Sequence, residues 1–203
     1  WIDPYSRDDP VLHVSYYQKD HRRDIGDRYC QFDSKVHGLA DSGVGGRKDG
    51  PSAHGDILRT YRLAIACTGE YARFHGGDEE SATVTEAMAG IVTTMNRVVG
   101  IYERELAVRL QIVPGNDQLI FLDPDTDPYT NSDGEMMLDE NQATIDSILG
   151  TSAYDIGHVL STGGGGIAWF GVCHFLFKAG GVTGSAVPLG DSFDVDFVAH
   201  EMG

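Results

Sequence analysis

From Thr83 to Leu106 the apolar residues Val84, Met88, Ile91, Val92, Met95, Val98, Val99, Tyr102 and Leu106 recur at intervals of three and four. That spacing draws a single apolar stripe along a long helix, and a striped helix has to cover something apolar. The flanking segments supply it. RTYRLAIACT (59–68) is rich in strand formers around an apolar centre, as a buried strand is. VRLQIVP (108–114) alternates and stops at a proline, and QLIFLDP (118–124) is a second short apolar run that also stops at a proline, which predicts a hairpin or two nearby strands.

The pattern continues downstream. LDENQATIDSILG (138–150) sets Leu138, Ile145, Ile148 and Leu149 on one side and ends on a glycine suited to a helix C-terminus. YDIGHVLST (154–162) predicts another strand, followed by four glycines and the short apolar segment IAWFGV. Asp191 or Ser192 is placed to cap a last helix whose apolar positions include Phe193, Phe197 and Val198. Strands interleaved with helices, without an internal repeat, predict an α/β or α+β fold.

Residues 1 to about 56 lack sustained periodicity, and HGLADSGVGGRKDGPSAHGD (37–56) reads as loop or linker, so a boundary is expected near Asp56. The 203 residues and 41% apolar content suit one domain plus an extension. With 31 acidic against 15 basic residues the formal charge is −16, which repels nucleic acid and anionic membranes. No apolar run approaches the roughly 20 residues of a membrane span. Of Cys30, Cys67 and Cys173, two can pair and one is left over, so counting does not decide the redox compartment.

The chemistry lies in the closing DFVAHEMG (196–203). In HExxH on a helix, histidines at i and i+4 face one metal and the glutamate sits beside its water. His200 and Glu201 occupy the first two functional positions. The pair alone decides little, since ordinary composition produces it about once in several hundred residues.

Read together, RTYRLAIACTGEYARFHGG (59–77), MNRVVGIYERELAVRL (95–110), DPDTDPYT (123–130), ENQATID (140–146), YDIGHVLSTGGGGIAWFGVC (154–173), KAGGVTGS (178–185) and PLGDSFDVDFVAHEMG (188–203) make a stronger case. In this order they resemble the reprolysin-like (adamalysin-like) metallopeptidases of the metzincin clan, especially their bacterial secreted branch. The resemblance implies a zincin-like subdomain: a twisted mixed sheet with an edge strand over the cleft, flanking helices, and the active-site helix at the C-terminus. It further implies a secreted zinc endopeptidase with the signature HExxHxxGxxH. His200 is then the first zinc ligand and Glu201 the general base that takes the proton of a metal-bound water.

The same resemblance makes residues 57–203 the catalytic domain, stopping within the signature, and residues 1–56 an extension or propeptide remnant. Met202 is not the methionine turn, and the 203-residue chain alone is expected to bind zinc weakly and to lack appreciable activity. Gly166, Ile167, Ala168 and Trp169 become the substrate-binding residues of the edge strand, holding an extended protein or peptide substrate through N–H and C=O groups. The alternative for that segment is a glycine-bounded interior strand.

Other motifs carry less. The glycines at 163–166 are not followed by GK[ST] and precede a strand, so they do not form a phosphate cradle. Asp123, Asp125 and Asp127 offer hard oxygen ligands for calcium, with a solvated, proline-stiffened turn as the alternative. His158 and His174 lack ligand spacing to His200 and read as hydrogen-bonded structural residues. Cys173 is a candidate partner for Cys67, and Cys30 for either a proenzyme zinc thiolate or an ordinary disulfide or buried thiol. The competing function is a catalytically dead calcium- or protein-binding module in which His200 is incidental.

Overall fold

The computed structural model describes the backbone of Ile2–Ser6 and Asp9–Ser15, and residues 57–77, 82–163, 165–170 and 173–203 in full. Cys30, the 37–56 segment and the boundary near Asp56 fall outside these residues. Strands β1 (Ile2–Ser6) and β2 (Asp9–Ser15) pair antiparallel as a hairpin in a stretch where the sequence reading expected no element.

The rest is built on a five-stranded mixed sheet. Its strands are β3 (Arg59–Cys67), β4 (Val108–Ile112), β5 (Ile156–Ser161), β6 (Gly165–Ala168) and β7 (Gly181–Gly184), in the order β4-β3-β5-β7-β6. The first four in that order run parallel, and β6 closes one edge antiparallel to β7. β5 is buried along its whole length because it lies between β3 and β7 with both faces covered.

The predicted long helix is α2 (Val84–Leu106). Thr83 caps it by accepting from the Glu86 N–H, while the Glu86 carboxylate accepts from the Thr83 N–H at 3.0 Å, a reciprocal capping box. Its stripe is buried at Ile91, Met95, Val98 and Tyr102, but Val92 and Leu106 are exposed. α1 (Gly69–Gly76) packs beside it, capped by Thr68, whose hydroxyl accepts from the Tyr71 N–H. α3 (Gly134–Ile148) starts four residues before the predicted helix because Asp133 caps it, and Gly150 just past its end has φ +85°, where a side chain would be strained.

Alternation along the strands divides the core into two layers. Leu63, Ile65 and Leu160 meet α1, α2 and the C-terminal helix, while Ala64, Ala66, Val159 and Val182 meet α3. Each large apolar side chain so buried contributes about 1.5–3 kcal/mol.

Two expectations fail. QLIFLDP is not a strand: Asn116–Leu119 forms a 3-10 turn, after which Ile120 makes one isolated parallel bridge to Cys67. The buried Asn116 side chain explains this, since it bonds the backbone N–H and C=O of Ile65 and ties the loop to β3. Neither Asp191 nor Ser192 caps the last helix. Its N-cap is Gly190, and the Asp191 carboxylate is turned inward to Arg97.

Candidate active site

The last helix is not uniform. It is α-helical over Asp191–Phe193 (α4), π-helical over Asp194–Val198, and α-helical again over Ala199–Met202 (α5). Phe193, Val198 and Met202 are buried with α2 and β3, as the apolar spacing requires. A π-turn inside a helix needs tertiary support. That support comes from α2, where the Arg97 Nη1 lies 2.6 Å from Asp194 and 3.3 Å from Asp191, and the Thr94 hydroxyl donates to Asp194 at 2.7 Å. Burial, followed by the neighbouring Asp191 charge, pushes the Asp194 carboxyl up to about 6 against the pull of Thr94 and Arg97. Farther along α2, the Tyr102 hydroxyl donates to the Ala199 carbonyl at 2.5 Å, and its own burial raises it to about 12.

This framework sets the two expected catalytic residues differently. His200 is exposed on the last turn, whereas Glu201 is 8% exposed and turned in against β6. A Cβ added to Gly166 would stand 2.4 Å from the Glu201 Oε1 and 2.6 Å from its Cγ and Cδ. The carboxylate thus occupies space that any other residue at 166 would fill. The fold brings together Gly166 and Glu201, which lie far apart in the chain.

β6 is an edge strand. The Trp169 N–H donates to the Gly180 carbonyl, and Gly165, Ile167 and Gly166 oppose Gly184, Val182 and Thr183. In an antiparallel ladder, Gly165, Ile167 and Trp169 therefore turn their backbone polar groups toward β7. Gly166 and Ala168 turn theirs to the open edge. The side chain of Ile167 packs on the α3 layer, and that of Trp169 lies over Gly180, edge-on to Phe177 at 5.5 Å. The four-residue segment thus presents two open backbone positions and two packed side chains.

A zinc ion takes imidazole or thiolate donors in tetrahedral geometry. The exposed His200 imidazole has the right chemistry for one donor, and the neighbouring Glu201 carboxylate is sheltered against β6. Among the described residues no three His, Cys, Asp or Glu side chains are grouped to hold a metal. These residues therefore fit one corner of a zinc site.

The calcium expectation has no support. Asp127 accepts from the N–H groups of Gly69 (2.6 Å) and Tyr129 (2.8 Å), and Asp123 accepts from Arg73 and from the Asp125 N–H. These bonds make the acidic loop a turn stitched to the start of α1. The glycine-rich loop is likewise structural: a Cβ on Gly163 would meet the Asn131 carbonyl oxygen at 2.0 Å.

His158 is buried in β5 with its Nε2 2.8 Å from the Thr183 hydroxyl, and burial lowers it to about 3, so it is neutral. His174 stacks on Phe175 and Phe177. Both fill the structural roles expected of them. Cys67 is buried at the end of β3 and Cys173 is exposed, and the two are not joined. No helix among the described residues is long and apolar enough to cross a membrane.

The sequence reading missed Arg97 and Asp194, and gave Asp191 a capping role in place of its contact with Arg97. The available signal was Thr94 and Arg97 on the same helical face as Ile91 and Val98, since polar groups on a buried face need partners.

No curated protein matches the chain. Residues 57–203 match the family model described as Metallo-peptidase family M12B Reprolysin-like. With its mixed sheet, its antiparallel edge strand and its C-terminal helix carrying His200 and Glu201, the chain belongs to the reprolysin-like metallopeptidases.

Proposed function

We propose that residues 57–203 carry the general base, the first metal ligand and the substrate edge of a zinc-dependent endopeptidase. The observation that carries this reading is the nesting of the Glu201 carboxylate against Gly166, which puts a sheltered base against an edge strand with open backbone groups. His200 would hold the metal through its exposed imidazole. When bound, zinc supplies Lewis acidity toward a water and the scissile carbonyl.

The chain's own residues do the rest. The backbone groups of Gly166 and Ala168 pair with an extended peptide and hold it in line, independent of its sequence. Ile167 and Trp169, packed on α3 and Phe177, keep that edge seated. Glu201 takes up the proton released by the attacking water and returns it to the leaving amine, a transfer of the kind worth about 10²–10⁴-fold.

The intact, zinc-loaded protein that contains this chain should hydrolyse a casein or quenched-fluorescent peptide substrate. Glu201→Gln should lower kcat by at least about 10²-fold with zinc content unchanged by metal analysis. The 203-residue chain, contributing one histidine of the implied signature, should bind zinc weakly by calorimetry and show no turnover. Undiminished turnover by the Glu201→Gln protein would sink the assignment of Glu201 as the base, and no turnover by the unaltered zinc-loaded protein would favour a binding module.

A further inference from the structure

The face of the sheet away from Glu201 holds a separate feature. A cleft of about 160 Å³ lies between the first turn of α3 and the start of β6. Its walls are apolar at Met137, Ile167 and Val182 and acidic at Asp133 and Glu135, with Glu135 exposed. Ser161 also lines it. Alternation with Val159 puts Ser161 on the α3 face, where its fully buried Oγ has no hydrogen-bond partner among the described residues.

A buried hydroxyl left without a partner loses its hydration with nothing in return, so such groups in native proteins ordinarily meet a ligand or water. The chemistry of the cleft narrows the choice. An anion would suit the start of a helix, but that end is already met by Asp133, which accepts from the Met136 N–H at 3.1 Å, and by Glu135. Two carboxylates at the rim disfavour a second anion. A long cationic side chain satisfies every wall: its methylenes lie on Met137, Ile167 and Val182, and its head reaches carboxylates and a hydroxyl.

The cleft is also in the right place for a substrate side chain. Opposed residues of antiparallel neighbours project to the same face. A peptide residue opposite Ile167 therefore projects toward α3, whose first turn is directly below: a Cβ on Gly134 would stand 3.2 Å from the Ile167 Cγ2. We propose that this cleft is a specificity subsite for a lysine or arginine side chain of the peptide substrate, held by Asp133, Glu135 and Ser161. The inference rests on the endopeptidase reading above and adds the class of side chain that the enzyme selects.

The test uses the intact, zinc-loaded enzyme and peptides that differ at one position, carrying Arg, Lys, norleucine or Glu there. At one position kcat/KM for Arg or Lys should exceed that for norleucine at least tenfold, and the preference should shrink at high salt. Asp133→Asn combined with Glu135→Gln should bring the ratio to within twofold, with Asn retaining the helix cap. Ser161→Ala should reduce the ratio several-fold without lowering Tm, because it removes a hydroxyl that no described group holds. If the double variant fails to fold, Ser161→Ala and the peptide series on the unaltered enzyme decide. Cleavage with no cationic preference, or a preference untouched by Ser161→Ala, overturns the subsite alone. Failure to cleave any peptide overturns the endopeptidase reading, and the subsite with it.

Discussion

Gly166 is the glycine whose lack of a side chain makes room for the candidate site. Its missing Cβ is the room in which the Glu201 carboxylate lies, at 2.4 Å from the would-be atom. Gly166→Ala should displace that carboxylate by roughly an ångström and lower kcat/KM of the intact enzyme by about 10²-fold, the usual scale for such a misplacement. Steady-state kinetics beside a melting curve check this, and an Ala variant of wild-type activity would contradict the geometry. Asp194 is a residue whose protonation is tied to folding. Its carboxyl, raised to about 6 from 3.8 by burial and faced by Arg97 and Asp191, keeps a proton that the unfolded chain has released. The stabilisation from this group is full below about pH 4 and is lost as pH rises through about 6, roughly 3 kcal/mol in all. The buried His158, lowered to about 3, imposes an opposing slope over the same range. The Asp194 contribution is therefore read as the difference between the urea midpoints of wild type and Asp194→Asn, which should change in wild type's disfavour as pH rises from about 4 to about 6.

Among the elements, the C-terminal helix depends most on its neighbours. Its three segments contain no side-chain cap, and its π-turn is held from α2 by Arg97, Thr94 and Tyr102. Arg97→Ala would leave Asp191 and Asp194 buried without their shared cation. The expected loss is about 3–5 kcal/mol, the scale for a broken buried ion pair, read as a lower urea midpoint. A midpoint within the error of wild type would mean that the guanidinium does not bind the helix in solution. α2 contrasts with this helix, because its stripe, its Thr83 cap and its Glu86 partner all lie within one stretch of chain. Local letters were enough there. They were not enough at QLIFLDP, where one distant contact, Asn116 to Ile65, replaced a strand with a 3-10 turn.

At the scale of the molecule, the five strands of the large sheet run from Arg59 to Gly184, and the family match begins at residue 57. These two facts support a proposed boundary near Asp56, with residues 57–203 folding as a unit. Removing residues 1–56 should then leave the urea midpoint unchanged, and a loss of cooperative unfolding would refute the boundary. Letters alone determined the identity and order of most elements and the pairing of chemistry with the last helix. Periodicity and ordered motifs are local properties, and α2, β3, β5 and the His200–Glu201 step were legible from them. Tertiary structure alone decided that the helix after Gly190 takes a π-turn, that Asp123 and Asp127 serve turns rather than a metal, and that Gly166 receives Glu201. Each of these depends on what a distant segment places within a few ångströms, a distance that sequence separation does not encode.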